Sequence, residues 1–92
     1  MSHADPPDVL ALLRTRIVAI MGVSPDDVAP DTRFDEDLHA DSLDLVEVIE
    51  GVERDLREEG IDASLPDEDL HALSTVGDAA ERIAAAARPG GL

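Results

Sequence analysis

The chain has 92 residues, 22 of them acidic and 7 basic, for a formal net charge of −15 with histidine neutral. Such a surplus of carboxylates repels phosphates, which argues against nucleic acid and anionic membranes as partners and favours enzymes with basic patches. Cysteine is absent, so the chain offers no disulfide framework, no thiolate nucleophile and no cysteine-based metal site, and any thiol chemistry has to come from a prosthetic group.

Hydrophobic residues make up 43% of the chain and aromatics only 1%, which suits one small domain with an aliphatic helical core and no deep substrate pocket. The start, Met1-Ser2-His3-Ala4-Asp5-Pro6-Pro7, lacks the basic residues and apolar run of a secretion signal, and no stretch approaches a membrane span. A soluble cytoplasmic monomer is expected. Charge is placed unevenly: 18 acids and 3 arginines fall between Asp26 and Asp69, so the central half carries the whole excess.

Asp5-Pro6-Pro7-Asp8 opens the first predicted helix, with Asp5 as cap and proline in the first turn. Val9, Leu13, Ile17 and Met21 give it a core face, and Gly22 stops it. Ser24-Pro25-Asp26-Asp27 is read as a short capped turn, followed by a polar loop long enough to need anchors. Phe34 and Leu38, four residues apart, are the apolar side chains that can pin it.

The longest amphipathic stretch runs from Ser42 to Glu59, with apolar residues at Leu45, Val48, Ile49, Val52 and Leu56. That spacing of three and four marks one helix face, over a length of about 27 Å. Asp41 is the predicted cap, and Gly60 suits the left-handed residue after the last turn. Asp44, Glu47, Gly51, Asp55 and Glu58 project roughly opposite the stripe, Glu50 and Glu53 flank it, and Leu43 falls between Glu47 and Glu50. An exposed leucine beside a serine, ringed by carboxylates, is a candidate docking surface.

Beyond Gly60, Ile61 to Leu65 reads as irregular, with Ile61 and Leu65 facing inward. Pro66 to Leu73 reads as a short helix. Ser74 or Thr75 caps the last helix, whose buried stripe is Val76, Ala79, Ala80, Ile83 and Ala87, and Arg88 to Leu92 reads as a disordered tail. Three substantial helices and one short one, with no alternating run that demands a strand, define an all-α fold, a small four-helix bundle. Residues 1–92 are expected to form one domain with an ordered core over about 6–87 and flexible tails.

Asp41-Ser42-Leu43 at the start of that helix resembles the Asp-Ser-Leu motif of the acyl carrier protein family. The order and spacing of Gly22-Val23, Phe34, Leu38, Asp41-Ser42-Leu43-Asp44, Glu47, Leu65-Pro66-Asp67 and Thr75-Val76 extend the resemblance over roughly Val9 to Ile83. It implies that Ser42 is covalently modified with phosphopantetheine, taken from coenzyme A by a phosphopantetheinyl transferase. The arm's thiol would then hold acyl groups as thioesters for acyl transferases, ketosynthases and other synthase enzymes. Asp41 and Leu43 complete the attachment motif, and Asp44, Glu47, Glu50 and Glu53 are the docking candidates. The carrier would have no catalytic activity of its own. A helix start, with free N–H groups and a positive dipole end, is a favourable place for a phosphodiester.

Three features depart from the family pattern. His39 stands where the family often has glycine, the connection from Leu56 to Leu65 is longer than in fatty-acid-synthesis members, and Glu50 stands where those members often carry an apolar residue. The last two point towards polyketide-type synthesis. Peptidyl or aminoacyl carriers usually show Gly-Gly-His/Asp-Ser, whereas His39-Ala40-Asp41-Ser42 looks like the acyl type.

Other classes are matched less well by these residues. A hydrolase built on Ser42 and His39 lacks the Gly-x-Ser-x-Gly elbow, and His3 and His71 read as surface residues. Calcium binding lacks the Asp-x-Asp-x-Asp-Gly loop, and no metal site is predicted. An unmodified acidic helical adaptor is the strongest rival, distinguished by whether the chain gains a phosphopantetheine arm.

Overall fold

A computed structural model describes residues 8–89. Helix α1 spans Val9–Met21, α2 Ser42–Glu58, α3 Asp67–His71 and α4 Val76–Ala86, with a 3₁₀ turn at Pro25–Asp27. The predicted all-α, small four-helix fold is what the chain adopts. Its core joins Leu13 and Ile17 of α1, Val48, Ile49, Val52 and Leu56 of α2, and Val76, Ala79 and Ile83 of α4, with Val28, Phe34, Leu38 and Ala63 added from the connections.

Helix α1 begins one turn later than the prolines suggest. Its cap is Asp8, whose carboxylate accepts the Ala11 amide at 3.2 Å, and the predicted cap Asp5 lies outside the described residues. Gly22 ends the helix at φ 73°, a left-handed conformation that costs glycine little. Ser24 caps the 3₁₀ turn as expected.

The long loop before α2 is pinned at both ends. Thr32 is buried, and its hydroxyl accepts the Ala29 amide at 2.8 Å while donating to the Asp27 carbonyl. From there the chain runs beside the start of α4, where the Val76 amide donates to Thr32 O, the Gly77 amide to Pro30 O and the Phe34 amide to Ser74 O. Gly77 is required for this approach, since a Cβ there would lie 2.9 Å from the Pro30 carbonyl oxygen. Phe34 and Leu38 then enter the core as predicted.

Four expectations need correction. The connection after α2 is not wholly irregular, because strand β1, Ile61–Asp62, pairs antiparallel with β2, Arg88–Pro89. Two residues of the predicted tail are therefore tied down, and residues 90–92 lie outside the description. Ile61 and Leu65 pack half-buried against the core as expected, with Ala63 buried between them, whereas Ala87 is exposed beyond the end of α4. Gly51 faces α1 and not solvent: a Cβ would lie 2.8 Å from Arg16 Cδ, so its lack of a side chain lets Arg16 cross α2. Arg16 there meets Asp55 in a bidentate pair.

Candidate functional site

The approach to Ser42 is a tight turn over residues 34–38. The Leu38 amide donates to Arg33 O, the His39 amide to Asp35 O and the Ala40 amide to Phe34 O at 2.8 Å, so buried Phe34 holds the turn from below. His39 then takes φ 55°, the left-handed conformation that a glycine at this position adopts easily and that histidine tolerates better than most residues.

Asp41 caps α2 through a reciprocal arrangement. Its Oδ1 accepts the Asp44 amide at 2.9 Å, and the Asp44 carboxylate accepts the Asp41 amide at 3.3 Å. This is a capping box built from two aspartates, and the three-residue spacing was its signal in the sequence. Asp44, placed among the docking carboxylates by the sequence, is half-buried and engaged here in holding the helix start.

Ser42 is the first residue of α2, and it is exposed. Among the described residues its amide and that of Leu43 have no acceptor, as expected for the first turn of a helix. No hydrogen bond joins Ser42 to His39 or His71, so the arrangement needed for a serine nucleophile with a histidine base is not formed. Leu43 is 67% exposed, the one large hydrophobic side chain so presented among the described residues. Glu47 and Glu50 are exposed beside it, and Arg54 follows on the same face of α2.

Glu53, half-buried, has a partner within the fold. Its Oε2 accepts the Leu65 amide at 2.9 Å, which ties α2 to the segment leading into α3. Sequence periodicity places a residue on a helix face but not against a particular loop amide, so this contact had no signal in the spacing.

Beside Ser42 lies an open cleft of about 360 Å³ between the start of α2 and α3. Phe34, Leu45, Val46, Leu70 and Leu73 give it an apolar lining, and Asp35, Asp41, Asp67 and His71 stand among its polar residues. It is shallow and open, in keeping with a chain too small for a deep pocket.

The Arg16–Asp55 pair lies away from this site. The Arg16 guanidinium, by hydrogen-bonding Asp55, holds that carboxyl below its usual range, and Asp55 in turn raises Arg16. Among the described residues no group of three or more histidines or acids is arranged to hold a metal ion, and no helix is long and apolar enough to cross a membrane.

Residues 11–83 match the family described as phosphopantetheine attachment site. The chain is 45% identical over 67 residues to the acyl carrier protein of Sulfurovum sp. (strain NBC37-1), covering 73% of this chain and 83% of that protein. It is 43% identical over 67 residues to the acyl carrier protein of Chlorobium phaeobacteroides (strain DSM 266 / SMG 266 / 2430), covering 73% and 80%. The chain therefore belongs to the acyl carrier protein family, whose prosthetic group is covalently attached phosphopantetheine. The relatives are named as carriers of acyl groups. An accessible hydroxyl at a helix start with two unpaired amides fits such a group.

Proposed function

We propose that Ser42 is the attachment point and that the chain is a non-catalytic carrier of acyl groups. The observation that carries this reading is the placement of Ser42: an exposed hydroxyl at the first position of a helix whose start is fixed by Asp41 and Asp44. The attached arm supplies the thiol that the chain itself lacks, on which acyl groups are held as thioesters. Asp41 fixes the helix start, and the free Ser42 and Leu43 amides with the dipole end favour the phosphodiester. Catalysis is left to the transferase that loads the arm and to the acyl transferases, ketosynthases and related enzymes that work on the cargo.

Docking is assigned to exposed Leu43 with Glu47 and Glu50, a surface suited to an apolar socket rimmed by basic side chains. Asp44 adds charge at its edge while holding the cap. Between fatty-acid and polyketide synthesis, the second is favoured by the long connection after α2 and by the exposed Glu50.

Incubation with coenzyme A and a broad phosphopantetheinyl transferase tests this by intact mass. The wild type gains one arm and Ser42→Ala gains none. Addition that survives the substitution would move the site elsewhere, and a wild type that stays at its native mass would leave an unmodified adaptor.

A further inference from the structure

Helix α3 is the least secured of the described α-helices, yet it forms one wall of the cleft beside Ser42. It has five residues, its N-cap is Pro66 with no side-chain hydrogen bond, and none of its residues is buried. Its backbone bonds stay local, with the Asp69 and Leu70 amides donating to Pro66 O at 3.0 and 3.3 Å, the Ala72 amide to Asp69 O at 3.1 Å and the Leu73 amide to Leu70 O at 3.3 Å. An isolated helix of this length does not hold itself together. Its position has to be set from outside.

At its far end, the half-buried Leu73 and the bond from the Phe34 amide to Ser74 O fix the chain. Along its length, Arg82 meets Asp69 at 3.5 Å between side chains that are 39% and 40% exposed, a pair that contributes little in water. Its near end is held by Glu53. The Leu65 amide, one residue before Pro66, donates to Glu53 Oε2 at 2.9 Å and to no other acceptor among the described residues. Proline at 66 has no amide to donate, which makes Leu65 the last donor before α3 begins.

We propose that Glu53 is a positioning residue for the cleft: through the Leu65 amide it sets where α3 begins, and so how closely Leu70, His71 and Leu73 stand to Leu45 and Val46 across the opening. It does so from rigid α2, whose neighbouring Ile49 and Val52 are fully buried. The role rests on the carrier reading only for its use, since the positioning itself belongs to the unmodified fold.

Amide hydrogen exchange on the unmodified full chain, followed by NMR for the wild type, Glu53→Ala and Glu53→Gln, tests it. Glutamine keeps a side-chain oxygen acceptor at the same reach, and alanine removes it. A hydrogen bond to a charged acceptor is strong enough that Glu53→Ala is expected to speed exchange at Leu65 by about tenfold or more. The α3 amides of Leu70 and Ala72 are expected to follow, with Val52 and Ile83 unchanged and Glu53→Gln restoring most of the protection. The proposal is overturned if Leu65 is unaffected, if glutamine behaves like alanine, or if every amide speeds up by one common factor, which would be global destabilisation. Because no arm is attached in this experiment, its outcome is independent of whether Ser42 accepts phosphopantetheine.

Discussion

The two sides of the cleft are built to opposite standards. On one side, the start of α2 is locked by the Asp41–Asp44 box and continues into a helix with five buried residues. On the other, α3 has five residues, with no buried residue and no side-chain cap. A carrier has to present one hydroxyl in a constant place while handling cargo of differing size. On the proposed assignment of Ser42, the attachment point stands on the rigid wall, leaving the adaptable wall free of covalent duty.

The largest disturbance removes what both walls share. Ile49 is 1% exposed in the core, so Ile49→Ala is expected to cost about 2–5 kcal/mol. Both walls then lose order together in thermal or denaturant unfolding followed by circular dichroism. A loss confined to α3 would show that the core does not support the two sides jointly.

Asp41→Ala sharpens the comparison by striking one wall. Loss of the cap is expected to cost about 1 kcal/mol, to speed amide exchange in the first turn of α2, and to slow loading of Ser42 while leaving α3 exchange as it was. Measured together, exchange and loading rate separate a local effect from general unfolding.

How much of this was legible in the sequence depended on whether the cause was periodic. The α2 stripe, the anchors Phe34 and Leu38 and the exposed Leu43 follow from helical spacing, while the unusual backbone at His39 was signalled only by the resemblance, which implies a glycine position there. The hidden contacts join residues far apart in the chain: Glu53 with Leu65, Gly51 with Arg16, and Ile61–Asp62 with Arg88–Pro89. Periodicity reports which way a side chain points, but only the packing of α1 on α2 reveals that Asp55 meets an arginine there. Asp44 carries a second task that its helical angle did not show. Its angle on the helix suggested solvent, whereas its third position in the helix made it half of a cap.

The Arg16–Asp55 pair lies on the α1 side of α2, away from the cleft, and makes a smaller, pH-dependent contribution. Asp55 is held below its usual range in the folded chain. The stability it adds is therefore present above the ordinary carboxylate range and is lost as pH falls through its lowered folded value. Asp55→Asn is expected to lower stability near neutral pH by about 0.5–1 kcal/mol, discounted for partly solvated side chains. Wild type and variant should converge in acid. A difference that persists or widens at low pH would assign the loss to packing.

Replacing Glu47 and Glu50 with lysine is expected to change stability least, since both are exposed and make no ion pair among the described residues. Loading of Ser42 by the transferase should nevertheless slow, chiefly through association rate and most strongly at low salt. Wild-type loading in low salt would remove these two carboxylates from the docking surface.

The contrast between the two walls is tested most directly by amide exchange in the unmodified wild type, comparing Leu45 and Val46 of α2 with Leu70 and Ala72 of α3. The α2 amides are expected to open only near the global unfolding limit, and those of α3 through local opening well below it. Equal protection on the two sides would contradict a rigid attachment wall facing an adaptable one.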